Sequence, residues 1–308
     1  MNQPSRTLLK PSQLSYFSGH FILLGVGVLC IAWSAIFVKL SGLSGLTTAF
    51  YRMAIASVGI LPIWAFRRKP ITSSRGVFFA MLCGVFFACD IALWNTSIVL
   101  SKASISTLLA NLSPVWVGVG ALLFWKQKPN GYFWIGTAIA IGGVALIIGV
   151  QELFSTTFSM GNVLAITASM FYGAYMLTAQ KGRIHIDTLS FTAISMATST
   201  VILGVFCILF KTPLWGFSTN SWWTLVGVGL ISQLSGWLCI NYALKYIRPT
   251  TASVTLLSQS VCTALFSIPV LGEMLTWYEL VGAVVVLSGI YLVNNPPVHK
   301  SIQTQEDL

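Results

Sequence analysis

The sequence predicts an all-α integral membrane protein with ten transmembrane helices, arranged as two inverted-topology five-helix repeats around a central cavity. Three observations lead to this prediction: an apolar composition, ten apolar stretches of spanning length, and the same landmarks in both halves. Of the 308 residues, 56% are hydrophobic and only 8% are charged, whereas about a quarter of the residues in a soluble domain are charged. The chain is therefore expected to be solvated by lipid.

Each apolar stretch is long enough to cross a bilayer, which needs roughly 20 residues at about 1.5 Å rise per residue. We number these stretches segments one to ten. The first repeat, predicted over residues 21–150, contains 21–40, 46–66, 77–100, 103–125 and 132–150. The second repeat, predicted over 161–293, contains 161–179, 189–210, 222–244, 251–271 and 277–293. Residues 1–19 and 294–308 are predicted to be cytoplasmic tails.

The basic residues orient these helices. Thirteen of the 17 Lys and Arg residues, Arg183 among them, fall on one side, and only Lys39, Lys102 and Lys211 fall on the other. Arg52 is the one basic residue predicted well inside a segment. Because cytoplasmic loops carry an excess of Lys and Arg, both termini are predicted to be cytoplasmic. The net charge of +10 is thereby explained without a nucleic-acid partner.

Several function classes are disfavoured by missing motifs. The six cysteines lie in apolar segments without metal-binding or paired spacing, so no metal or cofactor is predicted. An ATP-driven pump would need a GxxxxGK[ST] loop, which the chain lacks. A membrane enzyme would need acids, His or Cys at one depth, but Glu152, Asp187, Glu273 and Glu279 are predicted on both sides. An enzyme or a receptor is the rival from a different class.

The two halves repeat the same landmarks in the same order. Residues 103–109 (ASISTLL) align with 251–257 (TASVTLL), and the ungapped extension sets Trp94 on Tyr242 and Asn111 on Gln259. Because each repeat has an odd number of spans, the second copy enters the membrane from the opposite side. Many secondary transporters with inverted repeats alternate access to a site between the halves.

Four short motifs carry a family resemblance. They are Trp33-Ser34-Ala35 followed by Lys39, Phe50-Tyr51-Arg52, Tyr242-Ala243-Leu244, and Gly272-Glu273. With the two-times-five arrangement, the chain resembles the EamA branch of the drug/metabolite transporter superfamily from residue 21 to 293. The resemblance implies a transporter of small organic solutes, frequently an exporter of amino acids or related metabolites. The first half departs from the pattern, because Trp125-Lys126 stands where the second half has Gly272-Glu273.

Matching polar stripes run along segments four and nine. Ser104, Thr107 and Asn111 recur at helical spacing in one, and Thr251, Thr255 and Gln259 recur in the other. Stripes on repeat-equivalent helices predict that Asn111 and Gln259 line a central cavity. Hydrogen bonding between helices is the alternative role.

Aromatic and amide side chains in segments one, three, six and eight suit an amphipathic solute. The substrate-binding residues predicted there are Trp33, Trp94, Tyr172, Tyr175, Gln233, Trp237 and Asn241. Core packing or lipid contact is the alternative for any one of the rings.

Charged residues within spans are costly and therefore informative. Asp90, Arg52 and Lys39 are predicted at comparable depth in the outer half. Asp90 forms either a structural pair with Arg52 or Lys39, or a carboxylate that binds a proton or the substrate; the two cations would alternatively meet a substrate carboxylate. Pro114 is predicted to kink segment four, as a gate or as a static bend that shapes the cavity.

Together with the repeat, the resemblance implies a secondary exporter of amino acids or related compounds, working by alternating access in a bacterial inner membrane; no residue pattern sets the direction of transport. The alternative is an importer or exchanger of a nucleotide-like metabolite such as S-adenosylmethionine. The expected partners are a small-molecule substrate and the lipid bilayer. The glycines of segments five and ten predict close packing within the fold, or a homodimer through the fifth or tenth helix.

Overall fold

The computed structural model describes residues 11–67, 73–100, 103–126, 128–148, 159–271 and 276–295. The Gly272-Glu273 motif, Lys102, Glu152 and most of the two predicted tails lie outside these ranges. Within them the regular secondary structure is helical, without a strand. Nine helical spans of the described residues are long and apolar enough to cross a membrane, and the apolar stretch Leu108–Phe124 is shorter. The all-α membrane fold predicted from the sequence is confirmed.

Within the described residues, the first repeat has six helices, and the second has seven helices and a π-helical stretch. The first six are α1 Pro11–Ser41, α2 Gly45–Arg67, α3 Ser74–Leu100, α4 Ala103–Ala110, α5 Ser113–Trp125 and α6 Gly131–Ile148. The second repeat has α7 Met160–His185, α8 Thr188–Leu209, α9 Thr219–Gly227, the π-helix Val228–Gly236, α10 Trp237–Ala243, α11 Pro249–Thr255, α12 Ser258–Leu271 and α13 Trp277–Asn294. Segment eight is therefore one span with a widened middle, a feature that is frequent at functional sites.

Segments four and nine are each broken into two helices within the segment. In segment four the break falls at Asn111, whose N–H donates to the carbonyl of Leu108 at 3.1 Å. Pro114 occupies the first turn of α5, where its missing N–H costs no intrahelical bond. In segment nine the N–H of Leu257 donates to the carbonyl of Val254 at 3.0 Å. Both breaks are tight 3₁₀-like turns, and only the first has a proline.

The packing of the helices has the symmetry of an inverted repeat. Helix α3 packs along α7, and in the equivalent arrangement α1 packs along segment eight. Segments four and nine contact α7 and α1 in the same equivalent way. The remaining helices meet their own counterparts, α2 on α8 and α6 on α13. Exchanging the two repeats therefore leaves these main helix pairings unchanged.

Glycines hold α6 and α13 in close contact. A Cβ atom on Gly289 would lie 2.5 Å from the carbonyl oxygen of Gly136, and one on Gly143 would lie 2.5 Å from the nitrogen of Val286. Gly282 meets the carbonyl of Gly143 in the same way. The predicted small faces are thus used within the fold. A homodimer through the fifth or tenth helix would use the opposite sides of these helices and stays a prediction.

Two helix boundaries differ from the prediction, and one of them changes an assignment. Helix α1 begins at Pro11, inside the predicted tail, and α7 continues to His185, beyond the predicted end at 179. Arg183 consequently lies inside a helix and is only 1% exposed. Its prediction as an orienting charge in a cytoplasmic connection is wrong, as is the prediction that Arg52 alone lies inside a segment. Hydropathy falls at Gln180, whereas the helix continues because neighbouring helices cover it.

Candidate functional site

A cavity of about 490 Å³ lies between the two repeats. Helices α1, α2, α3 and α7, segment eight and the broken segments four and nine all contribute to its wall. Eight of the predicted site residues line it: Lys39, Arg52, Asp90, Trp94, Asn111, Tyr172, Trp237 and Gln259. The structure thus brings eight of the predicted residues together around one cavity, and their contact with a substrate stays a prediction.

The cavity occupies one side of the molecule rather than its centre. Lys39 near the end of α1, Ile148 at the end of α6 and Glu279 in the first turn of α13 all border it. These helix ends lie on the side that carries few basic residues, which is the outer side in the predicted orientation. Tyr172 and Trp237, further along their segments, form the end of the cavity toward the other side.

Aromatic rings form much of the wall. The ring centroids of Phe87 and Trp237 are 4.7 Å apart at 72°, and those of Tyr172 and Trp237 are 5.9 Å apart at 89°. The indole nitrogens of Trp94 and Trp237 are buried and have no hydrogen-bond partner among the described residues. A buried indole N–H normally finds an acceptor, so these two residues of the cavity wall each keep a donor unused in this conformation.

Arg52 is held beside the cavity by two side chains from other helices. Its Nη1 donates to Ser34 Oγ at 2.9 Å, and its Nε donates to Gln233 Oε1 at 2.5 Å. The guanidinium is only 8% exposed. Gln233, predicted to bind substrate, lies behind this arginine and does not line the cavity. Arg52 is thereby fixed in the cavity wall by two hydrogen bonds.

The Asp90 carboxylate borders the cavity without a bonding partner. It interacts electrostatically with Arg52, yet neither a hydrogen bond nor an ion pair within 4 Å reaches it from the described residues. The arginine bonds instead to Ser34 and Gln233. An unpaired carboxylate inside a membrane protein is expensive and typical of a functional position. The cavity wall thus contains a carboxylate that is not bonded to the arginine with which it interacts.

Polar side chains of segments four and nine meet where these segments are broken. Asn111 Nδ2 donates to Ser260 Oγ at 3.4 Å, and Thr263 Oγ1 donates to the carbonyl of Ala32 at 2.9 Å. Gln259 lines the cavity beside them. Of the two predicted polar stripes, Asn111 and Gln259 line the cavity, whereas Thr255 lies away from it and accepts a hydrogen bond from Asn294 Nδ2 at 3.3 Å.

Four predicted site residues, besides Gln233, lie outside the cavity lining. Trp33 stacks on Phe266 with centroids 5.1 Å apart, and Pro114 lies in the first turn of α5. Tyr175 and Asn241, each at most 2% exposed, lie one layer below the cavity, where the Tyr175 hydroxyl donates to Asn241 Oδ1 at 2.9 Å. Their predicted contact with substrate stays a prediction.

Sequence reasoning missed the partner of these two residues, Arg183. Its Nη1 also donates to Asn241 Oδ1, and its guanidinium lies 5.0 Å from the ring centroid of Phe191. A signal was present in the sequence, since Tyr172, Tyr175, Ala179 and Arg183 follow one another at three- or four-residue steps. Extending the helical stripe past the hydropathy boundary would have found it.

The chain is similar to transporters along most of its length. The model of the EamA-like transporter family matches residues 18–149 and 159–295. An uncharacterized transporter from Archaeoglobus fulgidus is 26% identical over 88% of this chain and 96% of its own. The uncharacterized transporter YdfC from Bacillus subtilis is 22% identical over 88% of each chain.

A solved structure supports the fold independently of sequence similarity. One crystal structure aligns with a TM-score of 0.77 over 89% of this chain and 96% of its own chain, at 12% sequence identity. At that identity the likeness concerns the arrangement of the helices alone.

Proposed function

Because this chain belongs to the EamA-like transporter family, we propose that its cavity binds a small zwitterionic amino acid or a close derivative with an apolar side chain. The chain is a multi-pass membrane transporter, as its helices and its relatives agree. The observation that carries the finer proposal is the unpaired Asp90 carboxylate, which shares the cavity with Arg52.

The charges of the cavity suit an amino acid in its zwitterionic form. Asp90 supplies an acceptor for an ammonium group, and Arg52 supplies donors for a carboxylate. Lys39, near the predicted outer end of the cavity, adds a second cation. A bound zwitterion would satisfy both signs at once, which matters because a single uncompensated charge in this environment is costly. A neutral solute would leave both groups without a counter-ion and a singly charged one would leave one, so such solutes should be carried more weakly than a zwitterion.

The aromatic wall suits the rest of such a molecule. Phe87, Trp94, Tyr172 and Trp237 offer ring faces to an apolar or aromatic side chain. A volume of about 490 Å³ lies in the range of roughly 300–1,000 Å³ that is usual for small-molecule sites. The site therefore combines charge recognition at one end with apolar contact at the other.

We propose that transport proceeds by alternating access, with this structure representing the state in which the cavity lies toward the outer side. Breaks in segments four and nine beside the cavity supply positions at which the two halves of each segment can change their angle. Export is the proposed direction, following the family resemblance. The solute would enter from the cytoplasmic side and leave through the cavity described above.

A nucleotide-like metabolite is the second candidate, favoured by the ring faces of Tyr172 and Trp237. A purine would stack on such rings as an aromatic amino acid does. The two candidates differ in what faces Asp90, because only a solute with an aliphatic amine supplies an ammonium group. S-adenosylmethionine carries both features, so adenosine without an amino-acid group is the discriminating solute.

The test is solute flux in proteoliposomes that contain the purified protein. We expect saturable flux of labelled leucine and tryptophan, and none of adenosine. Asp90→Asn should lower flux about tenfold or more, since a hydrogen bond to a charged group contributes about 1.5–3 kcal/mol. Asp187→Asn is the matched control, because Asp187 caps α8 away from the cavity and Asn is an equally good cap.

Flux of adenosine that exceeds flux of every amino acid would replace the proposal with the second candidate. Equal flux in the Asp90 and Asp187 variants would remove Asp90 from the binding site. Saturation by neither class of solute would contradict the proposed substrate altogether.

A further inference from the structure

A buried cluster around one cation lies on the inner side of the cavity. It is separated from the cavity by the aromatic layer of Tyr172 and Trp237 and lies toward the basic side of the protein. Its members are Arg183 and Tyr175 on α7, Asn241 on α10, and Phe191 and Thr192 on α8. We propose that Arg183 forms a second binding position on the transport path, which receives the carboxylate of the solute when the cytoplasmic side is open. This inference rests on the zwitterionic substrate proposed above.

The first reason is the unmet hydrogen-bonding capacity of Arg183. The side chain is only 1% exposed, and its Nε and Nη2 groups have no hydrogen-bond partner among the described residues. Leaving buried charged donors unpaired is costly, and native proteins rarely keep such groups without a reason. Two adjacent N–H groups of a guanidinium match the two oxygens of a carboxylate.

The second reason is the absence of a permanent counter-ion. Within the described residues, no acidic side chain forms an ion pair with Arg183. The charge faces the Phe191 ring at 5.0 Å and a neutral amide oxygen on Asn241. A structural arginine is usually paired when fully buried. A position that holds a carboxylate only transiently would look like this one, with the cation in place and the anion supplied by the solute.

The third reason is the position of the cluster relative to the cavity. Tyr175 stacks on Tyr172, with centroids 6.3 Å apart and an interplanar angle of 4°, and it packs against Trp237 at 5.2 Å. Tyr172 and Trp237 line the cavity, so a single aromatic layer separates the cavity from the cluster. Asn241 follows Trp237 by one helical turn. A solute that passes this layer meets Arg183 next.

In the described conformation, Asn241 occupies the place of the solute carboxylate. Its Oδ1 accepts from both Tyr175 and Arg183, and its amide nitrogen donates to Thr192 Oγ1 at 3.3 Å. Releasing Asn241 would free Tyr175 and a third N–H of Arg183 for the solute. The neighbouring π-helix, Val228–Gly236, is the segment whose rearrangement would move Asn241, since π-helical stretches are rare and frequently found at functional sites.

The experiment compares the two faces of the membrane with two solutes. Flux of labelled tryptophan and of tryptamine, which lacks the carboxylate, is measured in right-side-out and inverted membrane vesicles. Arg183→Gln should raise the KM for tryptophan at the face nearer Arg183 about tenfold or more, and change it less than about twofold at the other face. For tryptamine, the KM of the Arg183→Gln variant should change less than about twofold at both faces. Arg183→Lys, which keeps the charge but loses the fork of donors, should fall between.

Asn241→Asp supplies an independent reading if Arg183→Gln does not fold. The new carboxylate pairs permanently with Arg183, so it should compete with tryptophan and raise its KM at that same face alone. Equal effects at both faces, or equal effects on tryptophan and tryptamine, would make Arg183 a structural residue and overturn the inference. Wild-type flux of neither solute would instead contradict the proposed function, and the inference with it.

Discussion

Two buried arginines, on opposite sides of the aromatic layer, show how similar groups are used differently in the two halves. Arg52 and Arg183 each donate to an amide of segment eight, Gln233 and Asn241 respectively. Arg52 borders the cavity and has a second acceptor in Ser34. Arg183 is packed on all sides and keeps two N–H groups without a partner among the described residues.

In the outer half, Arg52 borders an open cavity. In the inner half, the corresponding position is closed by the contact between Arg183 and Asn241. The outer arginine, Arg52, is held by Ser34 and Gln233 and still borders the cavity. On the inner side, the amide oxygen of Asn241 fills the position in front of the guanidinium. If access alternates as proposed, opening the inner side requires that this contact be given up.

Chemical labelling is the most direct way to break the comparison, and its expected effect is all-or-none. Ala35 is exposed in the cavity, whereas the Cys83 thiol is fully buried and donates to the carbonyl of Tyr175. In a background without the other cysteines, Ala35→Cys should react with an impermeant maleimide from outside, and Cys83 should resist even a permeant one. The measurement is mass spectrometry of the labelled protein.

Cysteines introduced at Asn220 and Ser73 control for orientation, because these positions are predicted on the outside and the inside respectively. Labelling at Ser73 from outside would reverse the predicted topology. Rapid labelling of Cys83 in the absence of solute would contradict a closed inner half.

Removing the two amides sharpens the comparison through stability. Asn241→Leu leaves Arg183 and the Tyr175 hydroxyl without their shared acceptor, and should lower the free energy of unfolding by about 3–5 kcal/mol. Gln233→Leu should cost less, about 1–3 kcal/mol, since Arg52 keeps Ser34. Thermal and denaturant unfolding in detergent would measure both.

Asn95→Leu is the matched control, because the Asn95 side chain is also buried but donates to a neutral backbone carbonyl at 2.8 Å. It should cost about 1 kcal/mol. A smaller loss for Asn241→Leu than for Gln233→Leu would show that the Arg183 contact is not the stabilising one.

The third prediction asks what Asp90 contributes in the outer half. If Asp90 binds the solute ammonium, Asp90→Asn should weaken exchange and gradient-driven flux together, by about tenfold or more. Thermal stability should change little, because the carboxylate forms no bond that the amide would lose. Exchange that survives while uphill, pH-driven flux disappears would assign Asp90 to proton coupling instead.

The smallest expected effect concerns the polar stripes. Asn111→Leu and Gln259→Leu each remove a hydrogen-bonding group from the cavity wall without shortening the helix, and should raise the KM severalfold, in line with about 0.5–1.5 kcal/mol for a neutral hydrogen bond. Asn220→Leu, at an exposed position outside the cavity, is the control. Unchanged flux in both variants would assign these residues to helix packing.

Much of this architecture was predictable because the bilayer imposes simple rules on the sequence. Apolar length predicts each span, and an odd number of spans per repeat predicts the inversion. Asn111, Gln259, Asp90 and Arg52 were found by their polarity within apolar surroundings, and all four line the cavity. Pro114 correctly marked the break in segment four.

Other features depended on contacts between residues far apart in the chain. Nothing local in segment nine predicts its break at Leu256 and Leu257, since no proline is present there. Likewise, no local sequence signal predicts the π-helix Val228–Gly236 in segment eight. Gln233 and Asn241 have similar side chains, so their different roles depend on their neighbours. Gln233 accepts from Arg52 beside the cavity, whereas Asn241 accepts from Arg183 inside a packed layer.

The sequence by itself determined that the chain is a ten-span membrane protein of two related halves. Hydropathy and periodicity are local properties, and a bilayer admits only apolar helices of sufficient length. The tertiary structure decided which buried charges face space and which face protein. Arg183 is an example. Hydropathy alone places this cation just beyond the end of an apolar stretch and therefore predicts that it is exposed to water. Its burial follows from the helices α3, α8 and α10 that close over it, and that closure is a property of packing between distant segments.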